Sequence, residues 1–519
     1  MGYNQVCTPN TFRHRHLCSS VQSPSLAKEV ASSLRAALLD AQKAMDVTLR
    51  LPTEILRLVF QSYLVQSSDV VPLTHVCRRW RDIAINMPEL WTTIDDTNRI
   101  PYECHAARSG VLPLKFFVAD EPESHPDVPR WLRAHANTIQ EFHSVEACGS
   151  TRYDWRKLLR TFLPNLRIAT LTMPSDERTF KLFGGTISLQ ELSMQSLDWL
   201  PTNHFPNLTR FYLTHWAGHG PDLLNFLKNC PNLVDSLWCM LPSEGVVVEL
   251  PHLRRLTFED ADEDNVQRLL LCICAHCDAA LRVRTYDEEC YSPFSCEDIN
   301  SISQLPSAKT CTRLELLVHA HPEEAALSCS VAALGQTSGV YVDDLFVLDQ
   351  GAPKHSELAR LIPLAQIEEL WLVEEHGCMP IHHMVLQDML RPMKALRKLV
   401  VTSRHHALDE VIMALLCLQN ERPPIQDLHL LVNSLPRVDG PLVQNIAWLR
   451  ETKIPHVTIM IPEDYAAGHN LTLDTDGFAS VSVHTCRTMP TIALPPVCAT
   501  ESDMWPAWDT FLTPPYRVY

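Results

Sequence analysis

"LRKLVVTSRHHALDEVIMALLCLQ", residues 396–419, joins two patterns. The run LRKLVV is short, apolar and rich in Leu and Val, as a strand is. LDEVIMALLCLQ (408–419) then spaces its apolar residues as an amphipathic helix does. The succession returns. Strand-like units begin at 342 (VDDLFV), 367 (IEELWL), 396, 425 (IQDLHL) and 455 (PHVTIM), at intervals of 25, 29, 29 and 30. HHMVLQDMLRPM (382–393) is a second helical stretch between such units.

Outward from there, toward the N-terminus, a shorter form recurs. LPNL (163–166), FPNL (205–208), CPNL (230–233) and LPHL (250–253) share one pattern, and ISLQEL (187–192) is a degenerate copy. Their leucines stand at 166, 189, 208, 233 and 253, spaced 23, 19, 25 and 20. LRRLTF (253–258) continues from the last copy, and helical stretches lie at DLLNFLKNC (222–230) and DNVQRLLLCICAHC (264–277). Repeats of this length bury their apolar face only by stacking on neighbours. The expected fold is α/β: an irregular leucine-rich-repeat-like solenoid over residues 96–500, of the strand-and-helix horseshoe type, with its start between 96 and 160. The Asn or Cys that regularly follows the strand in such repeats is mostly absent, so the coils are expected to be distorted. Residues 278–341 fit the period poorly and suggest an insertion. The stretch 105–120, HAARSGVLPLKFFVAD, reads as a helix end plus a buried strand.

The first hundred residues are different. Residues 1–22 are polar and without period, and are expected to be disordered. Residues 23–50 read as a helix opening at Ser23–Pro24, an N-cap followed by proline at the first helical position. Residues 51–95 form a helical module. LPTEILRLVFQSYL (51–64) carries an apolar stripe, and VVPLTHVCRRWRDIAINMPELWTTI (70–94) continues as a second helical stretch. There Leu73, Val76, Cys77, Trp80 and Ile83 share one face, while Arg78, Arg79 and Arg81 lie on a solvated one.

LPTEILRLVF, LTHVCRRWRDIA and PELWTTI together resemble the F-box domain, as found in fungal-type F-box proteins. They supply the initial Leu-Pro, the Glu-Ile pair one turn on, the Val-Cys-Arg-x-Trp core and the Leu-Trp close. The resemblance covers about 45 residues. It implies a three-helix domain that docks on the Skp-type adaptor of a cullin-RING ubiquitin ligase. By position, Leu51, Pro52, Ile55, Leu56, Val59 and Phe60 would meet the adaptor. Val76, Cys77, Trp80 and Trp91 would divide between adaptor contact and the module's own core. Size points the same way, because so small a module buries little apolar surface by itself.

Composition excludes several functions. The net charge is −17, from 61 acids against 44 bases, which disfavours nucleic-acid binding through a basic field. Glycine numbers 15 in 519 residues, and no phosphate-cradling loop, nucleophile elbow or zinc-protease motif occurs. The 18 cysteines follow no framework spacing, no apolar leader opens the chain, and no apolar run is long enough to span a membrane. A non-membrane protein of the cytoplasm or nucleus with reduced thiols is expected. Cys272, Cys274 and Cys277 read as buried helix residues. Cys7, His14, His16 and Cys18 have no familiar ligand spacing, and the acidic run at 259–264 lacks a calcium-loop pattern. His382 and His383 are adjacent and, on a helix, do not readily face one ligand. No catalytic set, metal or cofactor is expected.

The expected function is therefore that of a substrate-receptor subunit. The module holds the adaptor, and through it cullin and RING subunits, while the repeats bind a target protein whose identity the sequence does not give. Catalysis would come from proximity. Trp199, Trp216, Trp238 and Trp371, within or just after strand units, are candidate contact residues for the target, with core packing as the alternative. The aromatic end, with Trp505, Trp508, Phe511, Tyr516 and Tyr519, reads as a cap over residues 501–519. The alternative function is an F-box/repeat scaffold outside any ligase.

Overall fold

Leucines at the repeat positions decide where the chain turns inward: Leu166, Leu189, Leu208, Leu233 and Leu253 are all fully buried. The computed structural model describes residues 32–36, 51–64, 70–95, 102–119, 128–145, 155–172, 181–214, 216, 218, 220–238, 247–259, 263–276, 278–284, 302–320, 327–343, 355–374, 381–403, 405–418, 421–432, 448–463, 476–488 and 490–499. The N-terminal segment 1–22, the ligand candidates Cys7, His14, His16 and Cys18, and the aromatic tail 501–519 lie outside these residues. Of the helix expected at 23–50, residues 32–36 are described, as helix. The chain divides into two compact units, Met1–Thr92 with Cys104–Gly110, and Thr93–Glu103 with Val111–Tyr519.

The first unit contains α1 (Thr53–Leu64), α2 (Val71–His75), α3 (Arg78–Ile85) and a tight helical turn, Pro88–Trp91. Helix α1 begins just after Pro52, whose carbonyl accepts the Leu56 N–H at 3.1 Å. The helical stretch expected over 70–94 is broken at Cys77. That residue is extended (φ −157°, ψ 172°), and its Sγ accepts from the Trp80 N–H at 3.5 Å. Cys77 is thus the N-cap of a new helix, because a capping side chain needs non-helical backbone beneath it.

The second unit is mixed α/β. Its strands are β1 (Thr93–Asp95), β2 (Leu114–Ala119), β3 (Ile139–Val145), β4 (Ile168–Leu171), β5 (Glu191–Gln195), β6 (Arg210–Thr214), β7 (Asp235–Trp238), β8 (Val248–Leu250), β9 (Arg255–Glu259), β10 (Ile273–Ala275), β11 (Ala280–Arg284), β12 (Arg313–Ala320), β13 (Leu327–Leu334), β14 (Gly339–Val342), β15 (Glu369–Glu374), β16 (Lys398–Ser403), β17 (Asp427–Val432), β18 (His456–Pro462) and β19 (Ser480–Cys486). Seventeen belong to one sheet. Strands β1 to β7 pair parallel in chain order. The order continues through β9 to β11, and β15 to β19 repeat it. Strands β8 and β10 form a separate parallel pair.

One interruption separates the two runs. Strand β12 pairs parallel with β15, β13 runs antiparallel to β12 and to β14, and β14 pairs parallel with β11. The chain therefore passes over two strand positions after β11, then fills them in reverse. Residues 278–341, read as an insertion, hold this change of strand order. The sheet itself is unbroken there.

Register is held just ahead of each strand. The N–H groups of Arg167, Gln190, Thr209, Val234, Arg254 and Ala280 donate to the carbonyls of Gln140, Arg167, Gln190, Thr209, Val234 and Arg254, at 2.7–2.9 Å. The P-N-L asparagines reinforce this stack: Nδ2 of Asn165, Asn207 and Asn232 donates to the carbonyls of Asn137, Ile187 and Pro206 at 2.6, 2.9 and 2.7 Å. One polar side chain per coil thus satisfies a turn carbonyl of the coil before it.

Alternate strand residues face opposite sides of the sheet. One side packs on helices: Phe211 of β6 meets Phe226 of the helix Gly220–Lys228, ring centroids 4.5 Å apart. By the pairing registers, Met194, Leu213, Trp238, Phe258, Leu370, Leu399, Leu428 and Val457 share that buried side. The helix expected at 264–277 is shorter than its periodicity suggests. It ends at Cys272, and Ile273–Ala275 becomes β10 by pairing with β8. Cys274 is accordingly an exposed strand residue, Cys272 is half-buried, and Cys277 lies outside the described residues.

Candidate interaction surfaces

Within the first unit, helix α1 has two faces. Leu56 and Phe60, four residues apart, are 0 % exposed, and the Trp80 ring meets Phe60 edge-on at 4.9 Å. On the other face Ile55, Leu58 and Val59 are 42, 58 and 45 % exposed. Val76 and Ile85 are exposed as well. Trp91 is buried, donates Nε1–H to the Ala84 carbonyl at 2.8 Å, and has Arg108 over its ring at 4.1 Å.

This geometry sorts the residues assigned to an adaptor. Pro52, Ile55, Val59 and Val76 are at the surface, and Leu51, Cys77 and Trp80 are half-buried. Leu56, Phe60 and Trp91 are corrected to core residues, since a side chain with no exposed surface cannot also meet a partner. Leu58 was missed, although its position three residues after Ile55 places it on the same helical face. Arg79 also departs from the solvated reading. It donates to the Leu51 carbonyl at 2.6 Å and so ties α3 to the entry of α1, while Arg78 and Arg81 are exposed. Ile55, Leu58 and Val59 are about half exposed, so burying the rest of each against a partner would contribute about 1 kcal/mol.

Residues 48–97 match the family model described as F-box-like. An F-box-like domain is present. Such a domain points to protein–protein interaction. No curated protein matches the chain. The F-box-like domain coincides with the unit whose first helix leaves an apolar face uncovered.

In the second unit the side of the sheet away from the helices is the other candidate. Its first row is a ladder of cross-strand charges. Lys115 meets Glu141 at 2.9 Å, Arg210 meets Glu191 at 3.0 Å, and Lys398 meets Glu369 at 2.6 Å. Arg255 and Asp235 form a buried two-bond pair, Nε to Oδ1 at 2.6 Å and Nη2 to Oδ2. Burial alone would raise the Glu141 carboxyl, but hydrogen bonds from His143 and Lys115 hold it below its usual value. Phe117 stacks on His143 at 4.5 Å in the next row.

Further along, this same side becomes apolar and covered. Tyr341, Trp371, Val400 and Leu431 cluster with Ile492 and Cys498 of segment 490–499. Nη1 of Arg313 donates to the Ala493 carbonyl at 2.5 Å. Trp371 is only 5 % exposed and donates Nε1–H to Glu369 at 2.8 Å. Trp199, Trp216 and Trp238 are 1, 3 and 0 % exposed. Of the four tryptophans proposed as target contacts, Trp199, Trp216 and Trp238 are thus corrected to packing residues, and Trp371 packs beneath segment 490–499. Gly218 shows how tightly Trp216 is held: a Cβ there would sit 2.4 Å from the indole.

Among the described residues one group brings metal-ligand atoms together: those of His382, His383 and Glu410 lie within 4.8 Å of one another. The adjacent histidines therefore do converge, with ring centroids 4.1 Å apart. Glu410 accepts from the His383 backbone N–H at 2.6 Å and from its Nδ1 at 2.8 Å. It serves as a cap for the helix His383–Leu390, where a carboxylate is favoured. Among the described residues no helix is long and apolar enough to cross a membrane.

Proposed function

We propose that this protein is the substrate-receptor subunit of a cullin-RING ubiquitin ligase of the SCF type. The F-box-like module docks on a Skp-type adaptor through Ile55, Leu58 and Val59, and the large sheet, read as an irregular leucine-rich-repeat solenoid, holds a target protein. The chain itself performs no covalent chemistry. It brings a target near the ligase's ubiquitin carrier and raises effective concentration. The observation that carries this reading is the coincidence of an F-box-like sequence with three exposed apolar residues on one helical face.

A pull-down from cell extract tests it, comparing the intact protein with Ile55→Ala/Val59→Ala. Both residues point away from the core, so circular dichroism should be unchanged. Adaptor and cullin should co-purify with the intact chain and fall at least tenfold with the variant. Adaptor without cullin would replace the ligase reading with the scaffold reading, and neither partner on the intact chain would remove both.

A further inference from the structure

Segment 490–499, PTIALPPVCA, lies on the sheet without joining it. Among the described residues it has no strand pairing, and its own main-chain bonds are local: the Cys498 and Ala499 N–H groups donate to the Pro495 carbonyl at 2.9 and 3.0 Å. It is held by side chains. Ile492 and Cys498 are buried in the cluster, with Leu494 and Val497 packed against it. Its tie to the sheet is the guanidinium of Arg313 on the Ala493 carbonyl, at 2.5 Å. That contact uses a main-chain atom, which any peptide of similar path would also offer.

The surface beneath is apolar where the segment lies, and the first row of the same side is charged. One group there is not served by it. Glu315 of β12 stands opposite Ala332 on one neighbouring strand and Trp371 on the other, both members of the cluster. It is 8 % exposed, and among the described residues its Oε2 has no hydrogen-bond partner. A carboxyl so placed lacks a donor that the covering segment, made of Pro, Thr, Ile, Ala, Leu, Val and Cys, has no cation to supply.

We propose that this face is the docking surface for an extended, proline-containing apolar segment of a target protein, carrying one basic side chain for Glu315, and that residues 490–499 occupy it in cis until displaced. The inference rests on the target-receptor reading. Arg313 serves the same role for either occupant. A lysine or arginine beside Glu315 gives the incoming segment an interaction the resident one lacks, and that difference drives the exchange.

The test uses the intact chain and its own thiols. Cys498 belongs to the segment and is buried against the sheet, while Cys230 is buried elsewhere. Burial raises both thiols, so each reacts only when uncovered. Iodoacetamide labelling is followed residue by residue by mass spectrometry. It is run alone and with synthetic peptides of sequence 490–499, Ser replacing Cys, carrying a single lysine at each position in turn. Cys498 should label at least tenfold faster than Cys230. At least one lysine peptide should raise its rate a further fivefold, and Glu315→Gln should abolish that rise. Equal rates for Cys498 and Cys230 would make the segment a permanent part of the core and overturn the proposal. So would indifference of Cys498 to every peptide. Adaptor pull-down reads the other unit. Peptide-driven labelling without adaptor binding would remove the ligase reading and leave the docking face standing.

Discussion

Strands β2–β7 with β9, and strands β15–β17, are built by the same ladder, yet their faces away from the helices differ. On the earlier strands that side carries salt bridges from the exposed Lys115–Glu141 to the buried Arg255–Asp235. On the later ones, past the Lys398–Glu369 pair, it carries Trp371, Val400 and Leu431 beneath a segment from the end of the chain. Backbone pairing therefore does not decide what a sheet face is for. The cover does, because the worth of a charge or an apolar group depends on whether water reaches it.

The sharpest test of that view is Arg255→Ala. It would strand Asp235, whose side chain is 5 % exposed, and removing one partner of a buried pair costs about 3–5 kcal/mol. Chemical denaturation should show a loss of that size, or failure to fold. Trp371→Ala should cost about 3–5 kcal/mol by leaving a cavity under the C-terminal segment. A loss below about 1 kcal/mol would mean that the segment does not cover it.

Glu315 gives the comparison a pH dependence. Burial pushes its carboxyl up to about 7 from 4.5, so the folded state holds a proton that the unfolded chain releases. Its burial costs nothing below the unfolded value, and the penalty grows as pH rises from about 4.5 to 7, to on the order of 3 kcal/mol. Glu315→Gln should leave stability unchanged near pH 4 and increase it at pH 8, measured by urea unfolding at both. An equal effect at both would place the group in water.

Two smaller effects complete the series. Asn207→Ala removes the bond to the Ile187 carbonyl and should cost about 1 kcal/mol. Lys115→Ala, in a pair whose side chains are 48 and 22 % exposed, should change stability by less than about 1 kcal/mol, and less still in high salt. If it cost as much as Arg255→Ala, the contrast between exposed and covered charges would collapse.

Much of this was legible in local pattern. The spacing of Leu166, Leu189, Leu208, Leu233 and Leu253 is the spacing of β4, β5, β6, β7 and β9, because each strand must present its leucine to the same core. The units at 367, 396, 425 and 455 are β15 to β18 for the same reason. The break at Cys77 was harder to see, since Leu73, Val76, Cys77 and Trp80 keep helical spacing across it. The shortening of the helix at Cys272 was hidden too, because Leu-Leu-Leu-Cys-Ile-Cys satisfies a helix as well as a strand until β8 supplies a partner.

The sequence by itself determined the F-box-like module, the strand-and-helix alternation and the positions of the buried leucines. These depend on neighbours within a turn or on a fixed period, and the chain carries that information locally. Only the tertiary structure decided that β12, β13 and β14 fill the sheet in reverse, and that Ile55, Leu58 and Val59 stay exposed while Leu56 and Phe60 do not. It alone placed Trp371 in a core, through a segment whose Ala493 lies 180 residues from Arg313 in sequence. Strand order and cover are settled by contacts between residues far apart in the chain, and no periodicity records which distant segment will exclude the water.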